Sequence, residues 1–163
     1  MKIAFAADPL SGFNLKKDST YAMMREANAR GYELYAFRHA DMIVSGGRVL
    51  ASVSRIALTG EPGAWFSVEE TALRPLSDVD VVVERTDPPF NMEYVYATYL
   101  LELAESQGAR VVNRPAAIRN HNEKLAITGF SEFTAPTLVT SNAMHVRAFH
   151  AEHRDIILKP LDG

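Results

Sequence analysis

Arg85 opens the stretch Arg85-Thr86-Asp87-Pro88-Pro89-Phe90, directly after the apolar run Val79 to Glu84. Such a run reads as a strand buried on both faces of a parallel sheet, and open α/β sheets bind ligands in the crevice outside the carboxyl ends of their strands. Two prolines fix φ in the loop. Arg85 is therefore either a held fork for a carboxylate or a solvated residue in a rigid connector. Lys124 follows Asn122-Glu123 near the start of a helix, and Lys159 stands before Pro160 at the end of a predicted strand. An ammonium so placed is a mobile point charge suited to phosphate, although each lysine taken singly also reads as surface charge. Asn14-Leu15-Lys16-Lys17-Asp18-Ser19 leaves a strand and enters a helix. There the backbone N–H groups can receive an anion, or Asp18 and Ser19 simply cap the helix.

Other residues point less clearly to chemistry. His145, His150 and His153 share a predicted helix, and the i, i+3 spacing of the last two places them on one face. Glu152 and Arg154 beside them mark an exposed helix end, so a surface role outweighs a metal site. Trp65 and Phe66 are expected to pack against the sheet. The chain has no cysteine, which removes disulfides, thiolate nucleophiles and Cys-ligated metals. A net charge of −3, with Lys and Arg scattered, leaves no basic stripe for nucleic acid. No run approaches the roughly 20 apolar residues of a membrane span, and the apolar start Ile3 to Ala7 is broken at once by Asp8-Pro9. The expected location is the cytoplasm, with neither nucleic acid nor membrane as partner.

The elements that must position these residues alternate. Ile3 to Ala7 is a predicted strand, followed by a helix capped at Asp18 or Ser19 and stopped at Gly31, then a strand from Tyr32 to Phe37. That order implies a parallel βαβ unit with a right-handed crossover. Ile43-Val44, Ser45-Gly46-Gly47 and Arg48-Val49-Leu50 then read as a hairpin, running through Val53, Ile56 and Leu58 as an antiparallel insertion until Glu61-Pro62-Gly63. After the strand Val79 to Glu84, apolar residues from Met92 to Ala104 recur at helical spacing between an Asn91 cap and a Gly108 stop. A strand from Ala109 to Val112 follows. Beyond Pro115 the pattern predicts helices to Asn120 and from Asn122 to Phe133, a strand at Thr137 to Thr140, a helix from Asn142 to His153, and a strand at Asp155 to Pro160.

Taken as an ordered set, NLKKDST, YELYAF, DVDVVVERTDPPFNMEYVYATYLLE, VVNRPAAIRNHNEKL, TLVT and DIILKPLDG are similar to bacterial glutathione synthetases of the ATP-grasp superfamily. The resemblance implies an α/β fold. Its N-terminal doubly wound, mostly parallel sheet, the pre-ATP-grasp substrate domain, spans about residues 1–120, and the beginning of an ATP-grasp domain spans 121–163. It implies ligation of γ-glutamylcysteine to glycine with ATP and Mg²⁺ through an acyl phosphate, by an enzyme that is a homo-oligomer at full length. By motif, Lys124 and Lys159 match the lysines that hold the ATP phosphates, Arg85 matches a ligand of the peptide substrate, and Asp18 is a softer substrate candidate. In such enzymes the glycine-rich lid, the adenine-binding strand and the Mg²⁺ ligands follow the position of Gly163. The chain is thus expected to be an N-terminal half, inactive alone, with neither catalytic residues nor metal ligands of its own. A non-catalytic small-acid binding module, and an ATP-grasp peptide ligase with another substrate, stand as alternatives.

Overall fold

A computed structural model describes residues 1–61 and 63–162. Pro62 of the Glu61-Pro62-Gly63 break, and Gly163, lie outside the described residues.

Seven strands form one sheet: β1 (Lys2–Ala6), β2 (Glu33–Phe37), β3 (Met42–Ser45), β4 (Arg48–Leu58), β5 (Phe66–Pro75), β6 (Val81–Glu84) and β7 (Val111–Val112). The order is β3-β4-β2-β1-β6-β7, with β5 on the other edge of β4. The segment β2-β1-β6-β7 is parallel throughout, and β3, β4 and β5 pair antiparallel. Helix α1 (Ser19–Ala29) joins β1 to β2, and α2 (Met92–Ser106) joins β6 to β7. Their stops, Gly31 and Gly108, have φ of 73° and 99°, a region that costs a side chain and suits glycine.

The period-2 alternation of strand side chains divides the core in two. Ile3, Phe5, Leu34 and Ala36 face α1, where they meet Met24, Ala27 and Trp65. Ala4, Ala6, Tyr35, Phe37 and Val82 face α2 and pack with Ala97, Leu101 and Ala104. The sheet as a whole is mixed rather than mostly parallel, because the insertion pairs antiparallel, but helices on both faces of its parallel segment are the expected doubly wound arrangement. Burying each large side chain such as Phe5 or Leu101 contributes about 1.5–3 kcal/mol. As expected, Trp65 packs inside, its ring 5.9 Å from Phe13, 4.9 Å from Tyr21 and 4.8 Å from Phe66.

β3, β4 and β5 form the predicted antiparallel insertion, but β5, ten residues long, is absent from the sequence-based expectation. It is an outer strand and mostly exposed on both faces, so its residues lack the alternation that marks a half-buried strand. Gln107 fastens the hairpin to the end of α2: its side-chain oxygen accepts from Val49 N at 2.9 Å and its nitrogen donates to Gly47 O at 2.9 Å.

Past residue 120 the expectations hold less well. Helix α3 (Pro115–Asn120) is as predicted, and Arg119 ties it to α2 through Thr98, Glu102 and the face of Tyr99. The helix expected from Asn122 to Phe133 instead divides into α4 (Glu123–Ala126) and a tighter 3₁₀ stretch, Ile127–Phe133, kinked at Phe130. Gly129 in its middle weakens an α-helix by about 1 kcal/mol relative to alanine. Helix α5 (Ala143–His153) is as expected. Thr137 to Thr140 and Asp155 to Pro160, expected as strands, belong to no strand and have no ladder partner among the described residues. β-prone composition makes a strand only where a neighbour takes its hydrogen bonds.

Candidate functional site

From β1 the chain winds outward to β2, and from β6, on the other side of β1, it winds outward to β7. The winding reverses between β1 and β6, and a doubly wound sheet leaves its ligand crevice at such a switch point. A cleft of about 590 Å³ opens there, lined by the loop from Asp8 to Asp18, the start of α1, and Arg85 and Asp87.

Arg85 directly continues the β6 ladder, its N–H donating to Ala6 O at 2.8 Å. Its side chain falls on the α1 face, where Nε donates to Thr20 Oγ1 at 3.1 Å and Nη2 to Ser19 Oγ at 2.7 Å. Those two bonds use two of the five donors of a guanidinium, and the fork stays planar and charged for a carboxylate in the cleft. Asp18 lines the same cleft. Its Oδ1 caps α1, accepting from Thr20 N at 2.7 Å and Tyr21 N at 3.0 Å. Capping is thus the role its geometry displays.

Asp8 is a residue that sequence reasoning missed. It lines the cleft, and its Oδ2 accepts the Asp87 N–H at 2.9 Å, joining the two strand-end loops across the switch point. The available signal was an acid at the end of the first apolar run. The lining combines the cations Lys17 and Arg85 with the carboxylates Asp8, Asp18 and Asp87. Such a mixture suits a ligand that carries both an ammonium and a carboxylate.

Lys124 and Lys159 stand apart from this cleft. Lys124 is half-buried in α4, its Nζ 3.6 Å from Glu123 Oε1, and Lys159 is exposed. Asn122 connects their segments: Oδ1 caps α4 through Lys124 N and Leu125 N, while Nδ2 donates to Leu161 O at 2.8 Å. Two lysines on bridged segments provide the cationic donors a polyphosphate needs. Among the described residues no group of three or more His, Asp or Glu side chains converges to hold a metal. In α5, His145 Nδ1 lies 3.4 Å from Thr140 Oγ1 and His153 Nε2 3.8 Å from Glu152 Oε1. A second hollow, of about 460 Å³, runs along α5 between Arg147, His150 and Arg154. It is shallow and borders an exposed helix end.

Comparison with known proteins gives two family matches. Residues 1–119 match "Prokaryotic glutathione synthetase, N-terminal domain", and residues 123–163 match "Prokaryotic glutathione synthetase, ATP-grasp domain". The chain is 55% identical over 163 residues to the glutathione synthetase of Ralstonia nicotianae, covering all of this chain and 50% of that protein. It is 52% identical over 168 residues to that of Nitrosomonas europaea, covering 100% and 52%. The chain spans about half the length of the curated relatives it matches. Among solved structures it is similar to the ATP-grasp ligase PsnB complexed with a minimal precursor, at 24% identity, covering 99% of this chain and 53% of that one with a TM-score of 0.49.

Proposed function

The chain belongs to the prokaryotic glutathione synthetase family, and from that premise we propose that it supplies the peptide-substrate crevice and two phosphate-binding lysines of a ligase joining γ-glutamylcysteine to glycine. The observation that carries this reading is Arg85 at the switch point, its guanidinium steadied by Ser19 and Thr20 beside a cleft of mixed charge. A γ-glutamyl group carries an ammonium and a carboxylate on one carbon, which that lining complements. Arg85 binds the carboxylate, and Asp18 contributes chiefly by holding the start of α1.

The chain divides at about residue 120 into a substrate domain and the beginning of an ATP-grasp domain, supported by the separate family matches on either side. Lys124 and Lys159 hold the phosphates of ATP, and their bridged segments support that pairing. ATP with Mg²⁺ supplies the phosphoryl group that makes the dipeptide carboxylate reactive toward the glycine amine, and positive charge offsets the charge in transfer. The same reading puts the enzyme in the cytoplasm as a homo-oligomer, without nucleic-acid or membrane partners; the net charge of −3 supports the exclusion of nucleic acid. No helix among the described residues is long and apolar enough to cross a membrane.

Calorimetric titration of the chain with γ-glutamylcysteine tests the reading of the crevice. Arg85→Ala is expected to abolish the dipeptide heat, while Lys159→Ala, outside the cleft, leaves it unchanged. Dipeptide binding that is indifferent to Arg85→Ala would refute the assignment of the crevice.

A further inference from the structure

On the opposite face of the sheet from the Arg85 side chain, β6 ends in a carboxylate that is almost wholly enclosed. The Glu84 side chain is 1% exposed; Oε2 lies 3.0 Å from His39 Nε2, and Oε1 accepts the Thr86 N–H at 2.9 Å. His39 comes from the turn between β2 and β3, and its ring meets Tyr94 edge-on at 5.0 Å. Its Nε2 is also 3.1 Å from Thr86 Oγ1, which in turn lies 3.4 Å from Ala6 O. One proton arrangement serves every contact: Nε2–H donates to Glu84 and to Thr86 Oγ1, and the Thr86 hydroxyl donates onward to the Ala6 carbonyl. Tyr94 completes the cluster by donating its hydroxyl to Thr86 O at 3.2 Å.

A buried carboxylate is expensive unless it is paired, and an apolar side chain continuing Val81-Val82-Val83 would serve packing at lower cost. What Glu84 provides instead is a fixed exit for the strand. The three N–H groups of residues 85–87 donate in turn to Ala6 O, the Glu84 carboxylate and the Asp8 carboxylate. Of these, the Glu84 bond pins the backbone that presents Arg85 from the far side of the sheet. We propose that Glu84 and His39, acting through Thr86, are positioning residues that hold the Arg85 fork at the angle required by the carboxylate of an amino-acid-type ligand. The proposal rests on the reading of Arg85 given above.

The test uses Thr86→Val, His39→Ala and His39→Gln in this chain, with two readouts. The first is ligand-free amide hydrogen exchange at residues 85–87. The second is calorimetric affinity for γ-glutamylcysteine. Thr86→Val and His39→Ala are expected to speed exchange at residues 85–87 while β1 and α2 keep their protection, and to weaken the dipeptide by about tenfold, the scale of one lost hydrogen bond. His39→Gln, which retains an N–H donor, recovers most of both. Unchanged exchange in Thr86→Val and His39→Ala would overturn the proposal, as would a loss of protection spread evenly over the sheet. If the unaltered chain does not bind the dipeptide, the reading of Arg85 fails, and the exchange data still decide whether the cluster pins the loop.

Discussion

Residues 1–120 and residues 121–162 draw on similar side chains and use them differently. In the first, aliphatic and aromatic residues close over both faces of a sheet. In the second, no described residue is buried; Ile157 is 84% exposed, Phe133 79% and Leu158 71%. Helices α4 and α5 are nevertheless well formed, each with an asparagine cap, Asn122 and Asn142. Caps define where such short helices start, but helices of this length are marginal in water by themselves, and burial decides how far the rest of the molecule depends on them.

The contrast can be broken most directly in the core. Leu101→Ala, at a fully enclosed position, is expected to lower stability in urea by about 3 kcal/mol. Phe133→Ala, a larger truncation, is expected to change it by less than about 0.5 kcal/mol; a comparable loss at both positions would mean that the two regions unfold as one. Next in size is Arg85→Lys. It keeps the charge and loses the fork, so dipeptide affinity should fall about tenfold in calorimetry.

Capping sharpens the comparison further, because the same chemistry occurs in both regions. Asp18→Ala should cost about 1 kcal/mol of global stability. Asn142→Ala should leave the urea midpoint in place and reduce only the helical circular dichroism of α5.

The smallest effect is alkaline. Burial, reinforced by the charge of Glu84, raises the Tyr94 phenol well above its usual range, and burial also raises Tyr35. A raised folded-state value means that stability is full below the unfolded value near pH 10 and falls as pH rises beyond it, when the unfolded chain releases protons that the folded chain retains. Thermal unfolding between pH 9 and 11 should show this decline, lessened in Tyr94→Phe, while the helicity of α5 does not follow it.

The sequence disclosed the elements whose signals are local. The valine run of β6, the Asn91 and Gly108 bounds of α2 and the Asp18 cap each reside in a few adjacent residues, and each is found in place. β5 was hidden because an outer strand lacks one apolar face. Thr137 to Thr140 and Asp155 to Pro160 misled because their composition suits a strand that no neighbour among the described residues completes. In the candidate site, Arg85 and Asp18 were legible from their places at a strand end and a helix start. The Glu84 and His39 pair was not, since 45 positions separate them and only the crossing of β2 and β6 to opposite sides of β1 brings them together. An acid ending a run of valines was the only trace of it.

Trp65 is the single tryptophan of the sequence. Its ring stacks on Phe13, and Phe13 belongs to the loop that walls the cleft. The molecule thus carries its own optical probe beneath the crevice. Emission excited near the red edge of protein absorbance reports the Asp8 to Asp18 loop without a label, and the arrival of a ligand can be followed by fluorescence in real time.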